Sequence, residues 1–141
     1  MVANILVPVD RSSQSDRALE YALETFPDAE LTVLHAVNPS GYWYGNTDGY
    51  IYADEIEAWA RRQGNEVLEA ARQTATEHGR DVRTELKWGP PARTITEYAT
   101  ENEVDQIVLG SHGRSGVSRV LLGSVAESVL RRSPVPVTIV R

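Results

Sequence analysis

Residues 106–130 read QIVLGSHGRSGVSRVLLGSVAESVL, and the fold turns on how this stretch is interpreted. An apolar run, Ile107-Val108-Leu109, leads into Gly110-Ser-His-Gly113. Nine residues later comes Gly123-Ser124, followed by an apolar-periodic stretch from Val125 to Leu130. Strand, glycine-rich loop and helix start, in that order, let backbone N–H groups close around a phosphate. Gly110 and Gly113 permit close backbone approach or positive φ. Gly123-Ser124 opens a helix with free N–H groups and a hydroxyl, and Arg114 adds a cation. The same glycines also suit a loop tightened only for packing. Two phosphate motifs are excluded: no Gly-Lys-Ser/Thr occurs, and the spacing is not Gly-x-Gly-x-x-Gly.

Working outward, residues 4–9 form a nearly continuous apolar strand ending at Asp10, and the polar turn Arg11-Ser-Ser-Gln follows. Ala18, Leu19, Ala22, Leu23 and Phe26 share a helical face, which Pro27-Asp28 ends. Residues 31–37 read as a second strand and residues 38–52 as a loop rich in glycine and aromatics. A long charged helix is expected over residues 53–78, with Ile56, Trp59, Ala60, Val67, Leu68 and Ala71 inward and Gly79 as its C′ residue. Residues 82–88 alternate as a half-exposed edge strand. Gly89-Pro90-Pro91 then starts a helix with Ala92, Ile95, Tyr98 and Ala99 inward. After the fourth strand and the helix over residues 124–132, Val135, Val137 and Ile139 form a last strand. Pro134 and Pro136 push that strand to a sheet edge.

Strands separated by helices mean right-handed crossovers and a parallel sheet covered on both faces, an α/β domain spanning residues 1–141. Ligands of such sheets bind past the carboxyl ends of the strands, where the winding reverses. If the first and fourth strands are neighbours there, Asp10 and Gly110 meet at one crevice. Asp10 there suits a ribose or a metal, and equally a turn or N-cap role for the next helix.

Composition narrows the function classes. The 141 residues include 20 acidic and 14 basic ones, a formal charge of −6, which argues against nucleic acid as a partner. There is no cysteine, so disulfides and thiolate metal sites are excluded. No signal peptide and no apolar stretch of membrane-spanning length is legible, and a cytoplasmic location is expected. The three histidines lack metal-ligand spacing: His35 reads as a packed polar residue and His78 as a dipole partner at a helix end. A Ser-His-Asp triad is disfavoured, because Ser111 and His112 are adjacent and their side chains are expected to diverge. Tyr42, Trp43, Tyr44, Tyr50 and Tyr52 crowd residues 42–52. That segment suits a lid or protein-contact surface, or a loop pinned by its own rings.

Gly110-x2-Gly113-x9-Gly123-Ser124, with Val-Pro-Val-Asp10 closing the first strand, resembles the ATP-binding branch of the universal stress protein family. Trp88-Gly89-Pro90-Pro91-Ala92 resembles that family's entry to its third helix, and the ending Ser-Pro-Val-Pro-Val-Thr-Ile-Val matches as well. The resemblance implies an open, doubly wound five-stranded parallel sheet of order 3-2-1-4-5 and a homodimer through the C-terminal strand. By position, it implies that Asp10 holds ribose, Pro8 and Val9 line the base pocket, and Ala36 meets adenine through its backbone. Gly110 would contact ribose, and Gly113, Gly123, Ser124 and Val125 the phosphates, helped by Ser111, His112 and Arg114. The ligand implied is ATP, or ADP or AMP, with Mg2+ or Mn2+, bound by a stress-response sensor or switch. Two alternatives stand beside it: an interaction scaffold with vestigial nucleotide binding, and a slow ATPase or autophosphorylating switch using Ser124 or a nearby hydroxyl. No well-placed general base for water is legible, so efficient hydrolysis is not expected.

Overall fold

The computed structural model describes residues 2–38, 49–112 and 122–141. Gly113, Arg114 and the aromatic residues Tyr42, Trp43 and Tyr44 lie outside them. So does most of the expected partner surface at 42–52.

Elements run β1 (Asn4–Pro8), α1 (Ser13–Thr25), β2 (Glu30–Val37), α2 (Gly49–Glu77), β3 (Arg83–Trp88), α3 (Pro91–Glu101), β4 (Gln106–Gly110), α4 (Ser124–Arg132) and β5 (Val137–Val140). The five strands form one sheet in the order β3-β2-β1-β4-β5, and every pairing is parallel. The expected order is therefore observed, with β3 and β5 at the edges. Among the described residues, no helix is long and apolar enough to cross a membrane.

The pleat of β1 sorts the core into two layers. Ile5 and Val7 face one side, where they pack with Leu19 and Leu23 of α1 and Val67 and Leu68 of α2. Leu6 faces the other, against Ile95 of α3 and Val129 of α4. A strand buried on both faces needs an unbroken apolar run, and residues 5–7 supply one. Leu6, Leu34 and Ile107 are at most 1% exposed. Each such side chain contributes about 1.5–3 kcal/mol from area removed from water.

Two expectations for α2 need correction. The helix starts at Gly49, so residues 49–52 are helical rather than part of the preceding loop. Glycine and aromatics have modest helix propensity, and a propensity-based boundary stops short of them. Trp59 is 45% exposed rather than inward. Ala60, Val67, Leu68 and Ala71 do face inward as expected, joined by the small residues Gly64 and Ala75, and Trp59 lies about 100° from Ala60 around the helix. At Gly64, a Cβ would come within 2.5 Å of Leu86 Cδ1, so α2 approaches β2 and β3 closely because that residue has no side chain. Gly79, with φ of +70°, ends the helix as expected.

Candidate nucleotide site

β1 ends in a compact knot of hydrogen bonds that aims Asp10. The Ser12 N–H donates to Asp10 Oδ1 at 3.0 Å, an Asx turn, while Arg11 turns the chain with φ of +73°. Ser12 caps α1, its hydroxyl accepting from the Ser15 N–H at 3.1 Å. The Ser15 hydroxyl accepts from the Asp10 N–H at 3.3 Å and donates to the Ser12 carbonyl at 3.1 Å. Asp10 therefore fills the turn role and also lines a crevice, with one carboxylate oxygen ordering the turn. Its charge reaches the first turn of α1, where desolvation, and then Asp10, raise the Asp16 carboxyl above its ordinary value.

Across the crevice, Gly110 ends β4. A Cβ there would lie 2.8–2.9 Å from the Gln14 backbone, so α1 requires this glycine whatever the site binds. The Ser111 N–H donates to Val140 O at 2.8 Å, and the Gly123 N–H donates to Ser111 O at 2.7 Å. That second bond closes the glycine loop at its base and sets Gly123, extended at φ −70° and ψ 162°, as the N-cap of α4. Among the described residues no side chain caps this helix, and its first-turn N–H groups at Ser124, Val125 and Ala126 stand at the positive end of the helix dipole. Ser111 Oγ and His112 Nδ1 lie 3.2 Å apart, so these side chains meet and do not diverge. Residues 111–112 form a bend rather than a strand, so the alternation of a pleat does not apply to them. Ser111 is only 2% exposed, which leaves it unsuited to act as a nucleophile.

Between the two strand ends lies a crevice with an apolar interior. Pro8, Val9, Leu34 and Ala36 form one side, Pro91 and Ile95 of α3 another, and Leu109, Gly110, Val125 and Ala126 the third. Its polar members are Asp10, Ser15 and His112. It therefore brings together Pro8, Val9, Asp10, Ala36, Gly110, His112 and Val125. Ser111, Gly123 and Ser124 shape its loop and helix flank without lining it. Ser15, Leu34, Pro91, Ile95, Leu109 and Ala126 were not anticipated. Pro91 and Ile95 stand one helical turn apart on α3, and that spacing was legible. Ser15 follows Ser12 by three residues, the spacing of a cap and its partner.

The strand register explains the position of Ala36. Val9 N–H donates to Leu34 O at 2.9 Å, and in a parallel ladder alternate residues bond to the same side. The N–H and C=O of Ala36 therefore point toward β1. β1 pairing ends at Pro8 with Leu34, so the Ala36 pair stands beyond the end of its neighbour.

This geometry prompts comparison with known proteins. The profile of the universal stress protein family matches residues 1–141. The chain belongs to the universal stress protein family. The universal stress protein YxiE of Bacillus subtilis is 35% identical over 148 residues, covering 100% of both chains. The solved universal stress protein UspA of Lactobacillus plantarum superposes with a TM-score of 0.85 at 29% identity, covering 99% of this chain and 98% of that one. Another universal stress protein, solved in complex with cAMP, gives 0.68 at 29% identity, covering 99% and 97%. The universal stress protein fold thus accounts for the sheet order, and a relative with this fold holds an adenine nucleotide.

Proposed function

We propose that this chain binds an adenine nucleotide, ATP or its shortened forms ADP and AMP, as a cytoplasmic homodimeric sensor or switch. One observation carries the reading. An apolar slot sized by β-strand ends, a carboxylate at Asp10, a strand-end peptide at Ala36 and the uncapped start of α4 converge on one crevice at the switch point of the sheet. Adenine fits the slot between Leu34, Ala36 and Ile95, and ribose hydroxyls fit Asp10. Phosphates fit the first-turn N–H groups of α4 and the glycine loop, where the helix dipole favours negative charge. A Mg2+ or Mn2+ ion would travel with the phosphates, since among the described residues no three metal-ligating side chains converge. The cAMP-bound relative supports the choice of base.

Thermal unfolding with and without ATP and Mg2+ tests this. At a hundredfold excess over Kd, a native-state ligand adds about 2.7 kcal/mol, a rise in Tm on the order of 10 °C for a chain of this size. Asp10→Ala and Gly113→Val should abolish most of that rise. An unshifted wild-type Tm across millimolar ATP overturns the reading.

A further inference from the structure

The end of the β1–β2 ladder holds an arrangement that the nucleotide reading does not use. After the Val9 N–H bonds Leu34 O, the next rung of a parallel ladder would run from the Ala36 N–H to Val9 O. That rung is not made: β1 pairing stops at Pro8, and Val9 lies outside the strand. Val9 O is instead 2.8 Å from His35 Nδ1. A carbonyl oxygen only accepts, so Nδ1 carries the hydrogen and donates it. His35 thus bonds the oxygen that its own neighbour's amide would meet in a continued ladder, in a geometry where that amide does not reach it. The ring has space reserved for it on the other side. A Cβ at Gly64 would stand 3.3 Å from His35 Cδ2, so the bare backbone of α2 leaves room for the imidazole in this position.

We propose that His35 is a positioning residue for base recognition: by capping Val9 O it holds the Ala36 N–H out of the sheet and presents it, with the Ala36 C=O, to the ligand. The inference rests on the nucleotide reading and makes its base preference specific. A strand-end N–H donor beside a C=O acceptor complements an edge that offers an acceptor nitrogen beside an amino group. Adenine has that edge at N1 and N6, whereas guanine presents an N–H and a carbonyl in the reverse order. Of the lining side chains, Leu34, Ala36 and Ile95 offer no donor or acceptor of their own, which leaves this peptide as the donor–acceptor pair beside them.

Removing the ring while leaving the fold intact separates this role from packing. In His35→Ala, Val9 O recaptures the Ala36 N–H, adding one rung to the ladder. ATP binding by calorimetry should weaken about tenfold, the scale of one lost hydrogen bond, and the preference for ATP over GTP should shrink with it. His35→Asn places an amide N–H where Nδ1 stands and should restore both to within about threefold of the wild type. A second readout needs no ligand. By amide hydrogen exchange in the apo protein, the Ala36 N–H should exchange quickly in the wild type and in His35→Asn, and slowly in His35→Ala. Equal ATP affinity and ATP-to-GTP preference in all three proteins overturns the proposal, as does a slow-exchanging Ala36 amide in the wild type. A wild type that binds no nucleotide overturns the nucleotide reading instead, and the exchange comparison then decides whether His35 holds the amide unpaired.

Discussion

At the scale of single residues, two positions show how far a residue type constrains its role. Gly110 was expected to face a ligand, yet the structure gives it a packing reason independent of any ligand. Gly110→Ala would press a methyl onto the Gln14 backbone, which cannot step aside as a flexible side chain does. Overpacking of this kind costs about 1–3 kcal/mol, and the urea midpoint should fall accordingly. Asp105 was not singled out in the sequence, because nothing in the residues around it announces a partner a hundred positions away. Its Oδ2 accepts the N–H groups of Asn4 at 2.8 Å and Ala3 at 2.9 Å, fastening the start of β1 to the turn before β4. Those two bonds, Asn4 first, hold its carboxyl below the ordinary value. A lowered folded-state pKa stabilises at pH above the unfolded carboxylate value, about 3.9, and that contribution is lost as pH falls through the lower folded value. Asp105→Asn should therefore flatten part of the fall in urea midpoint below about pH 4, with little change in that slope near neutrality.

At the scale of elements, periodicity was a reliable guide along the apolar faces, including Val67, Leu68 and Ala71 of α2, and failed at a single large ring near the edge of such a face. The strands and the interior of α1 were legible because their buried positions are Ile, Leu and Val. The outward turn of Trp59 was not, since a sequence pattern weights a large apolar ring above the small residues Ala60 and Gly64 that α2 packs inward beside Val67 and Leu68. The bend at Ser111 and His112 was likewise illegible, because side-chain direction in irregular backbone follows no period. The start of α4 offers a clean test of the phosphate role. Ser124 is its first helical residue and follows an extended Gly123, the setting in which proline is tolerated. Ser124→Pro removes a backbone N–H and a hydroxyl from the phosphate side while keeping the helix. Circular dichroism and apo Tm should stay close to the wild type, and the ATP-induced rise in Tm should drop by more than half.

At the scale of the whole molecule, the outer edge of β5 is the surface on which the expected homodimer rests. The Ile107 N–H bonds Pro136 O and the Ser111 N–H bonds Val140 O, so even-numbered residues of this strand face β4 and odd-numbered ones face outward. Ile139→Pro then deletes an outward N–H without touching the ladder to β4. Sedimentation should show a dimeric wild type and a variant shifted toward monomer; a dimer unchanged in strength would move the contact elsewhere. The sheet order itself was legible only through family resemblance. Alternating strands and helices specify a wound parallel sheet, and nothing in a single strand's residues names its neighbour.

The placement of β1 at the centre has a consequence in time. The strand that carries Asp10 is the first to be synthesised, and its partner β4 comes about a hundred residues later. Residues 1–88 hold the half-sheet β3-β2-β1 with Asp10 and Ala36, while two sides of the crevice, α3 and the β4–α4 pair, lie later in the chain. The crevice is complete only when α3, β4 and α4 have joined it. A ligand that needs all three sides therefore stabilises only the finished chain.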